Sequence, residues 1–401
     1  MSVIESIVTV LLICGELILL VPLIYLALLS LAAPGMERRH RKAAGAPDGE
    51  RLSFAILIPA HNEAAVIASA VTSVLAMDYP HDRFSVFVVA DNCADVTAAL
   101  AREAGAMVYE RHDEQAKAKG YALRWLLERL NAEGRIFDAY VVVDADSRLS
   151  SRFLREMAAA LASGALVAQA QYRVLNGDAS WIAGLRAVAF ALFNHLRPLG
   201  RMRLGWSAGL KGNGMCFRRE IFERFGWGSY SLAEDVEYHL ELVAAGIHVW
   251  YVPEAVVEAE MPVTLGQARS QQARWERGRL DIARGRMRPL LRGFLRDRDL
   301  ARIDAAMEIM LPPLSILLGA IVVALTLALV LRALPAVALG VALLLLFSLH
   351  VFVGAALAHL TPRAYLSLVR APLYILWKCW VYLAAFIERT SKPWVRTERS
   401  G

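Results

Sequence analysis

Long apolar runs bracket a middle stretch in which polar and apolar positions alternate on a much shorter scale. Val8 to Ala33, Met307 to Leu331 and Leu334 to Leu360 are almost unbroken apolar runs. Each is longer than the ~20 residues that a helix needs to cross a hydrocarbon core. Tyr365 to Ile387 is apolar too, but it carries Arg370, Lys378 and a Trp/Tyr-rich face, which suits a helix lying at a membrane interface as well as one that spans. From Leu52 to about Pro262, short β-branched runs alternate with helix-like stretches, the pattern of an α/β domain. The spacing predicts strands over Phe54 to Pro59, Ser85 to Ala90 and Ala139 to Val143. Helices are predicted over Ala64 to Ala76, Asp95 to Ala104, Tyr121 to Leu130 and Ala233 to Ala244. The expected architecture is a mostly parallel sheet, inserted between transmembrane helices.

Composition sharpens the membrane reading. Of the 401 residues, 57% are hydrophobic, more than a soluble protein carries. The first apolar run has no basic residue before it and is too long for a signal peptide, so it reads as a permanent anchor. Arg38, Arg39, Arg41 and Lys42 follow directly, which by the positive-inside rule sets the amino terminus outside and the middle of the chain in the cytoplasm. Two later spans plus an interfacial helix return Arg363, Arg389, Arg396 and Arg399 to the cytoplasmic side, whereas three spans strand the last three of them outside. The expected organisation is an anchor over 1–36, a basic tether over 37–51, a cytoplasmic domain over 52–262, an Arg-rich amphipathic segment over 263–302, a membrane region over 303–390 and a basic tail over 391–401, in a multi-pass protein of the inner membrane. The net charge of +6 sits mainly beside the apolar runs and favours anionic lipid over nucleic acid as its partner. Cys14, Cys93, Cys216 and Cys379 lack metal-type spacing, and a cytoplasmic domain keeps them reduced.

Candidate chemistry clusters where the predicted strands end, the place where open α/β sheets bind ligands. Strand one runs into His61, Asn62 and Glu63, strand two into Asp91 and Asn92, and strand three into Asp144, Ala145 and Asp146. The glycines of a dinucleotide fold and a Walker-type loop are both missing. Asp144 and Asp146, two apart on an extended chain, can approach one hard cation, Mg²⁺ or Mn²⁺, that would bridge a diphosphate; a plain acidic loop fits the same residues. Asp91 can accept from a nucleobase N–H, with His61 and Glu63 lining base and ribose, yet Asp and Asn also favour such turns for their backbone bonds alone. Lys117 and Lys119 open a helix from which a lysine can reach a diphosphate or simply stay solvated. Glu234 and Asp235 begin the next candidate helix. Acids suit helix starts structurally, but a carboxylate there can also take the proton of an attacking hydroxyl. Gln271, Arg274 and Trp275 lie on the Gln267 to Arg286 helix, where they either face lipid head groups or present a donor, a cation and a flat face to a diphosphate and a sugar. Glu16 in the anchor marks a paired or functional position, and His350 and His359 suit structural hydrogen bonds.

In this order, Ile58-Pro59-Ala60-His61-Asn62-Glu63, Asp91-Asn92, Lys119-Gly120, Asp144-Ala145-Asp146, Glu234-Asp235 and Gln271-Gln272-Ala273-Arg274-Trp275 resemble family 2 glycosyltransferases, and most of all their membrane-bound branch of cellulose, chitin and hyaluronan synthases. The resemblance covers about residues 52 to 290 and the flanking spans. It implies a GT-A nucleotide-sugar fold, inversion at the anomeric carbon and a donor usually activated by UDP. Carried over, Asp91 contacts the uracil, Asp144 and Asp146 the diphosphate and metal, and Asp235 is the base. Gln271, Arg274 and Trp275 close over donor and acceptor, and Lys211-Gly212-Asn213-Gly214-Met215 cradles the acceptor sugar beside Glu234. The resemblance leaves the acceptor open between a growing polysaccharide and a lipid that receives one sugar. A catalytically silent scaffold of the same fold is the alternative from another class.

Overall fold

A computed structural model of the chain describes residues 3–35 and 52–387; the tether over 37–51 and the basic tail over 391–401 lie outside the described residues. The middle domain is built on an eight-stranded sheet: β1 (Phe54–Ala60), β2 (Phe84–Asp91), β3 (Met107–Arg111), β4 (Ala139–Val142), β5 (Ser147–Leu149), β6 (Val167–Val174), β7 (Met215–Arg218) and β8 (Val249–Ala259), in the order β3-β2-β1-β4-β7-β6-β8-β5. Alternation along β1 sends Phe54, Ile56 and Ile58 to one face and Ala55 and Leu57 to the other. Both faces are covered, so β1 reads as an apolar run.

The sheet is less parallel than the sequence predicts. The half holding β1 to β4 is parallel, as expected. However, β7 runs antiparallel to both β4 and β6, and β5 antiparallel to β8. The consequence is local and decisive. Because Val142 pairs with Met215 in an antiparallel register, the segment that enters β7 starts where β4 ends, so 211–214 lies beside 144–146.

The predicted helices form at Ile67–Leu75, Thr97–Glu103, Lys119–Ala132 and Glu234–Ala244. The last carries Glu234, Asp235 and Glu237 in its first turn, where the helix dipole favours negative charge. The Arg-rich helix is longer than predicted, Leu265–Asp297, and begins at Thr264, whose side chain accepts from the Gln267 N–H.

The apolar runs resolve unequally. Glu5–Ala32 and Leu334–Leu357 are each long and apolar enough to cross a membrane. The run expected as a span over Met307 to Leu331 is instead two helices, Leu300–Met310 and Leu314–Val330, bent by 71° and able to count as a third span only as a pair. The break falls at Leu311-Pro312-Pro313, where prolines remove backbone donors and clash with the preceding turn. The fourth run is also interrupted, as Pro362–Ser367, a 3₁₀ turn over Leu368–Arg370, and Ala371–Ile387. Two polar residues inside the apolar helices, Glu16 and His350, face helix seams. Glu16 is fully buried where Gly340 of the Leu334–Leu357 helix comes against it, and His350 Nδ1 lies 2.8 Å from Ser30 Oγ of the first helix.

These helices join the domain through one apolar core, which includes Leu23, Leu26 and Leu29 of the first helix, Leu57 of β1, Leu196, and Phe347. A charged cluster sits within the junction. Arg201 donates to Asp304 Oδ1 (2.9 Å), to Glu308 Oε2 (2.5 Å) and to the Tyr25 hydroxyl (2.7 Å), and Tyr25 donates to Asp304 (2.7 Å). Arg201 and Asp304 are 2% and 1% exposed. Removing one member of such a pair strands a buried charge. Arg201→Leu is therefore expected to destabilise the protein by about 3–5 kcal/mol, read as thermal unfolding in detergent; Tyr25→Phe, which removes a hydroxyl and leaves the ion pairs, should lose only about 1 kcal/mol. Equal losses in the two variants would show that the ion pairs add nothing beyond the hydrogen bonds.

Candidate active site

The ends of β1, β2 and β4 open into a cleft of about 1180 Å³. It brings together His61, Glu63, Asp91, Lys117, Lys119, Asp144, Asp146, Gly212, Glu234 and Asp235, residues spread over more than half of the domain's sequence.

At the end of β1 and β2, two asparagines make the turns. Asn62 and Asn92 adopt left-handed backbones, φ 55 and 51, which asparagine tolerates better than most side chains. Asn62 Oδ1 accepts from the Ala94 N–H and Asn92 Oδ1 from the Asp113 N–H, 2.8 Å each, stitching the rim loops together. The Glu63 N–H donates to Thr97 Oγ1. His61 Nδ1 lies 2.7 Å from the Asp91 carbonyl oxygen. A carbonyl only accepts, so this nitrogen carries the ring proton.

The Asp91 carboxylate is held by a residue that the sequence reading missed. Arg111 Nη1 lies 2.6 Å from Asp91 Oδ1, with its guanidinium 6% exposed, and also donates to Asp113 and to the Ala116 carbonyl. Asp91 and Arg111 are register partners on parallel strands. Their meeting was illegible because β3 itself was not predicted.

Lys119 stands at the centre. Its Nζ lies 2.5 Å from Asp144 Oδ1 and 3.7 Å from Glu234 Oε1, and donates to the Gly212 carbonyl. Burial disfavours its charge, but Asp144 and Glu234 outweigh that and raise its pKa, so it stays an ammonium. The residue after it has no room for a side chain: a Cβ on Gly120 would stand 2.1 Å from the Ser229 carbonyl oxygen. This close approach seats the start of the Lys119–Ala132 helix against the segment leading to Glu234.

Glu234 and Asp235 line the opposite wall. Burial pushes the Glu234 carboxyl up to about 7, with Lys119 pulling it down and Asp235 pushing it further up. Burial raises Asp235 too, against the Val236 backbone N–H and the cations Lys119 and Lys211. Asp235 packs over Gly212, whose φ is +76 and whose Cβ position would be 3.3 Å from Asp235 Oδ2. Lys211, beside it, is buried over the Phe193 ring (3.6 Å) and 3.8 Å from Glu308, and burial pushes its pKa down to about 7.

Asn213 and Gly214 take a different place from the one expected. Neither lines the cleft. Asn213 is fully buried, accepting from the Asp144 N–H (3.1 Å) and donating to Ser147 Oγ (2.7 Å), so its side chain braces the Asp144-Ala145-Asp146 turn. Gly214, with φ +67, is packed against Val257 and Ala170. The 211–214 loop offers the cleft Lys211 and Gly212, while Asn213 points into the protein.

Asp144 and Asp146 both line the cleft. Among the described residues no group of three or more His, Cys, Asp or Glu side chains is gathered to hold a metal by itself. Two carboxylates beside an open cleft nevertheless fit Mg²⁺ or Mn²⁺, which bind through one or two carboxylates completed by substrate phosphates. The Arg-rich helix runs against the start of the Glu234–Ala244 helix, since a Cβ on Gly278 would lie 3.1 Å from that of Ala233. Gln271, Arg274 and Trp275 belong to this helix, about one to two turns before Gly278; their side chains lie outside the described residues.

Comparison with known proteins places this cleft in a family. The family model for "Glycosyltransferase like family 2" matches residues 51–278, from the β1 edge through Gly278. The probable glycosyltransferase YdaM of Bacillus subtilis is 28% identical over 234 residues, covering 56% of this chain and 54% of that protein. The beta-monoglucosyldiacylglycerol synthase of Synechocystis is 27% identical over 234 residues, covering 56% and 47%. The chain thus spans about half the length of the curated relatives it matches. Among solved structures, the mannosyltransferase PcManGT from Pyrobaculum calidifontis, in complex with GDP-Man and Mn²⁺, superposes with a TM-score of 0.51 at 18% identity, covering 93% of this chain and 100% of that one. That likeness is one of fold. With the family match spanning β1 to β8, the Glu234-Asp235 segment and the first part of the Arg-rich helix, the chain belongs to glycosyltransferase family 2.

Proposed function

We propose that this protein is an inverting, metal-dependent glycosyltransferase that moves a sugar from a nucleoside-diphosphate donor, UDP-activated in the first instance, to a hydroxyl of a saccharide or lipid at the cytoplasmic face of a membrane. The observation that carries this reading is the convergence of Asp144, Lys119, Glu234 and Asp235 in one cleft from three separate segments. Asp91, oriented by Arg111, accepts from the base. Asp144 and Asp146 would hold Mg²⁺ or Mn²⁺, which supplies charge neutralisation for the departing diphosphate. Lys119, kept charged by its carboxylate neighbours, adds a cation on the same side. Asp235 takes the proton of the acceptor hydroxyl as that oxygen attacks the anomeric carbon. Gln271, Arg274 and Trp275 close the site over donor and acceptor.

Nucleotide release from a panel of UDP-sugars and GDP-mannose, with Mg²⁺ or Mn²⁺, tests this reading on the full chain in nanodiscs. Asp235→Asn should lower turnover by about 100-fold or more while leaving donor binding intact, since only proton transfer is lost. Loss of donor binding in that variant contradicts its role as base. Asp144→Ala and Asp146→Ala should instead weaken metal-dependent donor binding; unchanged metal dependence in both removes them from the site.

The acid limb of the pH profile offers an independent check. The base must be ionised, and burial raises the pKa of Asp235 and of its neighbour Glu234, the latter to about 7. A raised carboxyl loses its proton only at higher pH, so kcat/KM should fall as the pH drops through this range. Glu234→Gln removes a negative neighbour and should shift the limb to lower pH. A limb that stays in place shows that this pair does not set it.

A further inference from the structure

The cleft that contains Lys119 and Asp235 is larger and more mixed in character than a nucleotide-sugar requires. Its volume of about 1180 Å³ exceeds the roughly 300–1,000 Å³ of a pocket shaped for one small ligand, leaving room for a second substrate. Part of its wall is polar and catalytic, as described above. The rest is apolar, part of it from the Trp181–Ala191 helix and part from three apolar helices later in the chain: Leu314 and Leu318 from Leu314–Val330, Phe347 and Val351 from Leu334–Leu357, and Ile375 from Ala371–Ile387. The break at Pro312 and Pro313, which also line the cleft, turns the first of these three helices into it. Other faces of the first two of the three expose Val322, Val323, Leu345 and Phe352, side chains suited to lipid rather than water.

A wall of leucine, valine and phenylalanine offers a saccharide no hydrogen-bond partners, whereas a hydrocarbon chain laid against it removes apolar surface from water. Arg186 and Lys378, 4% and 9% exposed, line the same cavity. They bring cationic groups suited to the polar part of an amphiphile.

We propose that the acceptor is a membrane lipid bearing a free hydroxyl, with its chains against the Leu314–Leu318, Phe347–Val351 and Ile375 wall and its hydroxyl at Asp235. The proposal rests on the transferase reading above and names the acceptor class for that same site. In the step, the lipid oxygen bonds to the anomeric carbon, and the bond from that carbon to the diphosphate breaks with its electron pair leaving on the diphosphate. The hydroxyl proton passes to Asp235. The glycosylated lipid then departs sideways into the bilayer, so no polymer channel is needed.

The test uses the full chain in phosphatidylcholine nanodiscs with radiolabelled nucleotide-sugars. One arm contains dioleoylglycerol; another lacks it and supplies soluble cello- and chito-oligosaccharides; a third supplies dihexanoylglycerol. Donor binding is measured in each. Label is expected in the organic phase with dioleoylglycerol, with kcat/KM at least about tenfold higher than for the short-chain analogue, because each buried methylene adds to recognition. Ala189, exposed on the cleft wall, provides a steric check: Ala189→Trp should lower lipid transfer by about tenfold or more while the Kd for donor stays unchanged, showing that the variant is folded. Label confined to oligosaccharide, or no preference for the long-chain lipid in the wild type, overturns the lipid assignment and leaves the transferase standing. Donor binding without lipid product overturns it as well, and absence of donor binding in every arm overturns the transferase reading itself.

Discussion

Burying the Arg201 guanidinium to 2% exposure demands that every charge around it be answered, and the way it is answered joins the parts of this molecule. Asp304 and Glu308 come from the short helix before the proline break, and Tyr25 from the first apolar helix. Arg197 and Lys211 extend the cluster, both within ion-pair distance of Glu308. Such a cluster contributes little net attraction after desolvation, but it penalises any arrangement that leaves one member alone. It therefore fixes how the apolar helices sit on the α/β domain. Lys211 immediately precedes Gly212, over which Asp235 packs, so the junction and the carboxylate wall of the cleft share a neighbouring pair of residues.

The site depends on a second balance of buried charge. Lys119 lies between Asp144 and Glu234, and each carboxylate stabilises the ammonium that keeps the other from meeting unscreened repulsion. The strand order makes this possible. An antiparallel β7 beside β4 brings the 211–214 loop to the end of the strand that carries Asp144, and Asn213 then braces that turn from inside. In an all-parallel sheet the start of β7 would lie at the other end of β4.

The proline break has an architectural role as well. Without it, Met307 to Leu331 would form one rod, and Asp304 and Glu308 would continue the axis of a membrane helix. The 71° bend separates a charged half, which meets Arg201, from an apolar half, which lines the cleft. The carboxylates Asp144, Glu234 and Asp235 and the apolar side chains Leu314 and Leu318 thereby share one cavity.

Much of this was legible in the residues themselves. Apolar run length, strand-terminal acids and the order of the short motifs were enough for the α/β domain, its helical flanks and the family, because these depend on local periodicity and on side-chain chemistry at a strand's end. Asp91, Lys119, Asp144, Asp146, Glu234 and Asp235 stand out in the sequence at strand ends and helix starts, and all line one cleft. What stayed hidden were relations between segments distant in sequence. The antiparallel insertion of β7, the Arg111 partner of Asp91, the inward turn of Asn213 and the Arg201 cluster depend on which strand or helix lies beside which. A sequence carries periodicity and residue chemistry along one dimension; only tertiary packing decides which buried charge finds its counter-charge, and hence which polar residue faces a ligand and which one braces the fold.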